Sequence, residues 1–122
     1  MPRHSLVATA ALAVASLALA APALAKPAAT PLTGTVGPGF TISLAKAGKK
    51  VTSLKAGSYA ITVSDKAKIH DFHLLGPGLN KVITAVPFVG KKSVTVTLKK
   101  GTYTYQCDPH AAAGMKGTLK VT

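Results

Sequence analysis

The chain has 122 residues, 48% of them hydrophobic, with one cysteine and a formal net charge of +12 from 15 basic and three acidic residues. That length allows one small domain with one core, and a lone cysteine excludes a framework of internal disulfides. The charge balance invites nucleic acid, but beyond Arg3 every basic residue is a lysine, which removes the bidentate contacts that arginine makes to bases and phosphates.

The N-terminus opens with Arg3, an apolar run from Leu6 to Ala21, and the small-x-small triplet Ala23-Leu24-Ala25. This pattern predicts a secretory signal peptide over residues 1–25, cut after Ala25. The run is short, rich in alanine and interrupted by Pro22, whereas a spanning helix needs about 20 apolar residues. An exported protein is expected, secreted or periplasmic, with no membrane span in the mature chain. Cleavage leaves 97 residues, and the 14 remaining lysines against Asp65, Asp71 and Asp108 give +11. The lysines lie in scattered pairs, so a solvated surface favouring acidic partners or anionic envelope polymers is expected, and no nucleic acid.

Residues 26–38, rich in Pro, Thr, Gly and Ala, read as a flexible tether ahead of a domain spanning 39–122. From Phe40 the pattern becomes short alternating segments. Phe40, Ile42 and Leu44 form one row; Tyr59, Ile61 and Val63 another; Val94, Val96 and Leu98 a third; Leu119 and Val121 close the chain. Alternation in β-branched and aromatic residues marks half-buried strands. About seven strands with Gly-Lys or Lys-Gly turns predict an all-β, antiparallel β-sandwich.

Two segments echo each other without gaps: LKAGSYAITV from Leu54 and LKKGTYTYQC from Leu98. Each places a tyrosine just after a glycine turn, as in the tyrosine corner of Greek-key sandwiches. The echo also sets the phase of the second strand. Tyr103, Tyr105 and Cys107 share the face of Tyr59, Ile61 and Val63, so the thiol points inward.

Cys107, His110 and Met115 stand at C-x2-H-x4-M spacing. Pro109 stiffens this loop, and Gly114 and Gly117 let it return sharply. A free thiol outside the cytoplasm is prone to oxidation unless something occupies it. Thiolate, imidazole and thioether form a soft donor set which, with a second imidazole, gives the pattern of blue copper sites; zinc more often takes several cysteines or carboxylates. The second imidazole comes from Ile-His-Asp-Phe-His-Leu-Leu, residues 69–75. There His70 shares its face with Phe72 and Leu74, and is therefore the inward histidine. His73 falls on the other face, as a surface or rim residue.

The segment GTYTYQCDPHAAAGMKG resembles the copper loop of plastocyanins and related small blue cupredoxins, and His70-Asp71-Phe72 resembles the segment bearing that family's first ligand. The likeness covers residues 39–122 in strand order. It implies an eight-strand Greek-key sandwich, one type 1 copper per chain, and single-electron transfer. It also implies His70, Cys107 and His110 as strong ligands and Met115 as the axial one. Gly37-Pro38-Gly39-Phe40 and Gly76-Pro77-Gly78 would be loops at an end of the sandwich. Three departures are visible. Asp71 stands where the family usually has Asn, whose amide ties the two ligand loops; a carboxylate there would favour the oxidised metal. Gln106 replaces the aromatic that plastocyanins place before the cysteine. No acidic patch exists, which argues against photosynthetic partners with basic docking faces; with the lysine surplus, redox partners with acidic docking surfaces are expected.

A one-electron carrier, expected as a monomer, is the first reading. An envelope copper-binding or copper-delivery protein would use the same ligands without fast redox traffic. A metal-free adhesive sandwich is the third, and it requires Cys107→Ser to leave every property intact. An enzyme is not expected, because four protein ligands leave no open position for a substrate.

Overall fold

The alternating rows fold as strands wherever their inward residues can meet a facing sheet. The structure, a computed structural model, describes residues 10–21 and 28–122. Residues 10–21 carry no regular secondary structure, and no helix among the described residues is long and apolar enough to cross a membrane. The expected cleavage point after Ala25 lies outside the described residues.

Ten strands follow in order: β1 (Thr30–Val36), β2 (Ile42–Lys46), β3 (Lys49–Lys50), β4 (Ser53–Leu54), β5 (Gly57–Asp65), β6 (Phe72–Gly76), β7 (Leu79–Thr84), β8 (Gly90–Leu98), β9 (Gly101–Gln106) and β10 (Lys116–Val121). A 3-10 turn over Asp108–Ala113 separates the last two. They form two five-stranded sheets, ordered β3-β2-β1-β5-β8 and β4-β10-β9-β6-β7. The architecture is the expected β-sandwich of the cupredoxin kind, with two differences. Two of the ten strands are only two residues long, which explains the lower count expected from alternation. Two pairings, β1 with β5 and β10 with β4, are parallel, so the sheets are mixed rather than purely antiparallel.

The proposed tether over 26–38 needs correction, because residues 30–36 are β1. Leu32 and Val36 are buried in the core, and the strand runs between β2 and β5. Pro31 is tolerated there because β2 pairs with β1 only from Thr33 onward, so the missing N–H leaves no ladder bond unmade on that side.

The core lies between the sheets, with Tyr103, Tyr105, Phe72, Leu74, Ile61 and Leu119 nearly or wholly inaccessible. The echoed segments make matching corners. The Tyr59 hydroxyl donates to the Lys55 carbonyl at 2.5 Å. The Tyr103 hydroxyl accepts from the Lys99 N–H and donates to the Pro77 carbonyl, both at 2.9 Å. Each tyrosine thus closes on the backbone four residues upstream, which fixes the turn leading into its strand. The Phe72 and Tyr105 rings lie parallel, 5.9 Å apart between centroids. A glycine faces each: a Cβ on Gly34 would come within 2.9 Å of the Phe72 ring, and one on Gly117 within 2.3 Å of the Tyr105 ring.

The sandwich has two distinct ends. Pairing of Thr30 with Tyr59 and of Val36 with Asp65 fixes the direction of β1. The Ala56 N–H donates to the Thr122 carbonyl, so β1 begins and β10 finishes at the same end. The Gly76-Pro77-Gly78 turn also sits there, against Gly101 and Tyr103. Opposite, residues 37–40, 66–71 and 107–115 crowd together.

Candidate metal centre

Alternation carries Tyr103, Tyr105 and Cys107 inward, and all three are buried. The 3-10 turn starts directly after Cys107, with Pro109 in its first positions and Gly114 in the left-handed conformation (φ 92°) closing it. The backbone knits the loop to itself. The His110 N–H donates to the Cys107 carbonyl at 3.0 Å, the Met115 N–H to the His110 carbonyl at 3.2 Å, and the Cys107 N–H to the Met115 carbonyl at 3.0 Å. Cys107, His110 and Met115 therefore belong to one closed loop, and Met115 is buried.

His70 arrives from the segment before β6 and is fully buried. The inward row His70, Phe72 and Leu74 holds as alternation requires, although β6 shifts register against β7 between Phe72 and His73. Gly37 makes room for this ring. Its φ of 74° is left-handed, and a Cβ there would lie 2.8 Å from His70 Cδ2. The Pro38 carbonyl stands 3.3 Å from His70 Nε2. Donation of an Nε2 proton to that carbonyl leaves the Nδ1 lone pair free and aims it inward.

Three donor atoms converge. His70 Nδ1 lies 3.2 Å from His110 Nδ1, Cys107 Sγ lies 3.6 Å from His70 Nδ1, and Cys107 Sγ lies 3.4 Å from His110 Nδ1. A triangle with these edges has its centre about 2.0 Å from each corner, close to the ~2.0–2.3 Å of nitrogen and sulfur ligands around a tetrahedral cation. His70, Cys107 and His110 also form a cluster able to hold a metal ion, with all ligand atoms within 4.8 Å of one another. One thiolate, two imidazoles and a thioether on the same loop suit copper rather than magnesium or calcium. The residues present therefore fit the metal.

Burial pushes the Cys107 thiol above its ordinary range, opposed by hydrogen bonds from the Asp71 and His110 backbones. The metal-free thiol is thus held protonated, and a cation must displace that proton. Asp71 keeps the tie between ligand segments that Asn would make elsewhere, because the Asp108 N–H donates to Asp71 Oδ1 at 2.6 Å. An acceptor is all this contact requires. Burial raises the Asp71 pKa, with the bond from the Asp108 N–H opposing it.

Two features escaped the sequence. Phe40 does not join the inward row of Leu44; it precedes β2, is 66% exposed, and stands edge-on to both imidazoles. Its ring centroid lies 5.6 Å from that of His70 and 4.8 Å from that of His110. The Gly-Pro-Gly run before it was the only signal that the strand starts later. The second is His73, a rim residue as expected, but bound on both sides: Nδ1 lies 2.9 Å from both Asp108 oxygens and Nε2 lies 2.5 Å from Asn80 Oδ1.

The chain's likenesses agree with this donor set. Residues 39–122 match the family model described as copper binding proteins of the plastocyanin/azurin family. A plastocyanin from Daucus carota is 62% identical over 32 residues, 25% of this chain and 33% of that protein, so the match spans about a third of the relative's length. Among solved structures, the copper protein rusticyanin at 2.1 Å aligns with a TM-score of 0.55 at 24% identity, covering 75% of this chain and 76% of that one. Reduced rusticyanin at 1.9 Å aligns at 0.53 with 24% identity, covering 75% and 78%. At that identity these structures speak for the fold alone.

Proposed function

The chain belongs to the plastocyanin/azurin family of copper-binding proteins, and from that premise we propose that it is an exported type 1 copper protein carrying one electron at a time. The observation that carries this reading is the triangle of His70 Nδ1, Cys107 Sγ and His110 Nδ1, with edges of 3.2 to 3.6 Å. Copper, when bound, supplies a one-electron couple that this soft set accommodates in both oxidation states.

The residues supply the rest. Cys107 binds as the thiolate after losing its proton. His70, held by Pro38, and His110, held by the 3-10 turn, present nitrogens whose spacing the backbone already sets. Met115, buried on the same loop, would add its thioether as the fourth, weaker donor. Because hydrogen bonds and glycine contacts fix the donors beforehand, little has to move when the electron count changes, and a small reorganisation favours fast exchange. His110 is only partly buried. With Phe40 and Ala111–Ala113 around it, its ring edge offers a small apolar patch where a redox partner docks and the electron crosses. The surplus of lysine favours partners with acidic docking surfaces. The leader-like pattern over residues 1–25 supports export to the periplasm or outside the cell, and four protein ligands would leave no coordination position for enzymatic chemistry.

The purified mature chain, loaded with Cu(II), is expected to turn intensely blue and to bleach reversibly on uptake of one electron per copper. A colourless protein that holds only Cu(I) would reassign it to copper delivery, and one that takes no copper would overturn the reading. Cell fractionation with N-terminal sequencing tests export and cleavage after Ala25.

A further inference from the structure

Among the described residues His73 is the histidine that the ligand set does not use, yet its ring is bonded at both nitrogens. Its ring joins three elements. Nδ1 lies 2.9 Å from each Asp108 carboxylate oxygen, just beyond Cys107, and Nε2 lies 2.5 Å from Asn80 Oδ1 on β7. Gln106 Nε2 adds a 2.8 Å bond to the same carboxylate. The Asp108 N–H in turn holds Asp71, next to His70, at 2.6 Å. The His73 side chain is 14% exposed and that of Asp108 is 42% exposed, so the imidazole is the sheltered partner in this pair.

The segment bearing His70 and the loop bearing Cys107 and His110 come from different strands. Their register along the sheet starts only at His73 with Gln106. Above that point the segments are crosslinked by the Asp71–Asp108 contact, and the His73–Asp108 bond braces it. We propose that His73 is a positioning residue of the metal centre: bonded to Asn80 behind and Asp108 in front, it clamps the ligand loop against the His70 segment and so fixes the donor triangle. This rests on the copper reading given above.

With the Asn80 amide oxygen turned to Nε2 and the Asp108 carboxylate at Nδ1, an acceptor stands at each ring nitrogen, so these contacts favour the doubly protonated imidazole. The charged groups facing it are the Asp108 and Asp71 carboxylates. Gln106 and Asn80 are neutral. Lys116 stands across from Gln106 on β10, while Lys81 on β7 pairs with Leu74 rather than with His73. When the ring holds both protons, the clamp is an ion pair, three residues in sequence from His70. A proton on His73 disfavours the more positive, oxidised centre.

The test uses the full chain loaded with copper, comparing wild type, His73→Leu and His73→Gln. Copper affinity is measured by chelator competition, and the reduction potential by voltammetry from about pH 5 to about pH 9. His73→Leu is expected to weaken copper binding up to about tenfold, the low end of what loss of a ligand's own hydrogen-bond partner costs, because His73 acts through Asp108 and Asp71. His73→Gln, which keeps one donor for Asp108, should recover part of that loss. In wild type the potential should fall as pH rises through the His73 titration. A twofold to tenfold difference in proton affinity between oxidation states amounts to about 18 to 59 mV. Both variants should lack that step, which a purely structural role would not remove. The clamp is overturned if His73→Leu matches wild type in affinity and keeps the same pH profile. If His73→Leu does not fold, His73→Gln and the His73 titration followed by NMR in metal-free and Cu(I)-loaded wild type decide; a titration that ignores the metal, with a wild-type profile in His73→Gln, overturns it. A wild type that takes no copper sinks the copper reading and the clamp together. A wild type that binds copper while both variants match it sinks the clamp alone.

Discussion

Gly117→Ala should be the most informative substitution outside the ligands. A Cβ at Gly117 would meet Tyr105 Cζ and its hydroxyl oxygen at 2.3 Å and Cε2 at 2.7 Å, closer than real carbon contacts allow. Tyr105 cannot swing away, since it is 1% exposed and its ring lies parallel to that of Phe72. Overpacking of this kind costs about 1–3 kcal/mol, and the reduced freedom of an unfolded alanine returns about 0.4–1 kcal/mol. The upper half of the range applies here because three contacts are violated at once, leaving a net loss of about 2 kcal/mol. For a domain of this size that lowers Tm by about 8–16 °C. Gly34→Ala meets Phe72 and Val63 at 2.9–3.1 Å and should lose about 1 kcal/mol. Gly39→Ala meets nothing within 4 Å and should be neutral. Thermal and urea unfolding of the metal-free proteins measure all three. The strain should also reach the donors, because Tyr105 lies two residues before Cys107 and Phe72 two after His70, so the visible band of the loaded Gly117→Ala protein should shift. A Gly117→Ala protein melting within about 2 °C of wild type would show that the aromatic pair is loosely held, and the rigidity argument would fail with it.

Three further outcomes are expected. His73 carries a pKa raised above 6.5: burial alone would lower it, but the bonds to Asn80 and Asp108 and the charges of Asp108 and Asp71 outweigh burial. A raised folded-state value contributes stability that is full below pH 6.5 and lost as pH climbs through the folded pKa. Urea midpoints of the metal-free protein should therefore fall as pH climbs above 6.5, and His73→Leu should flatten that decline. Copper uptake should release the Cys107 proton, so the apparent affinity should rise about tenfold per pH unit while the thiol remains protonated; a pH-independent affinity would contradict a thiolate ligand. Phe40→Ala should leave unfolding within about 0.5 kcal/mol of wild type, since the ring is mostly exposed, yet speed copper loss to a chelator by uncovering both imidazoles; unchanged release would deny Phe40 a covering role.

Local pattern revealed what depends on neighbours in sequence. The echo beginning at Leu54 and Leu98 located both tyrosine corners and the inward phase of Cys107, and alternation singled out His70 over His73. What it missed depends on distant partners. β1 is disguised because its inward row is Leu32, Gly34 and Val36: a glycine interrupts the apolar signal, and Pro31 and four threonine or glycine neighbours suggest a linker. Beside its antiparallel pairing with β2, it is held by parallel pairing with the more distant β5, which leaves no local trace. Phe40 was misplaced because alternation alone does not say where a strand begins. The His73 contacts join residues 35 positions apart, and nothing near His73 announces Asp108.

Thr30 enters the sandwich, and Thr122 leaves it, on the side away from the donor triangle. The seven residues of β1 put about 20 Å of folded protein between those exits and the imidazole edge. A linkage made directly ahead of Thr30 or directly after Thr122 would accordingly hang from the base and leave His110 pointing into solution, so chains immobilised there would all present the same face to whatever exchanges electrons with them.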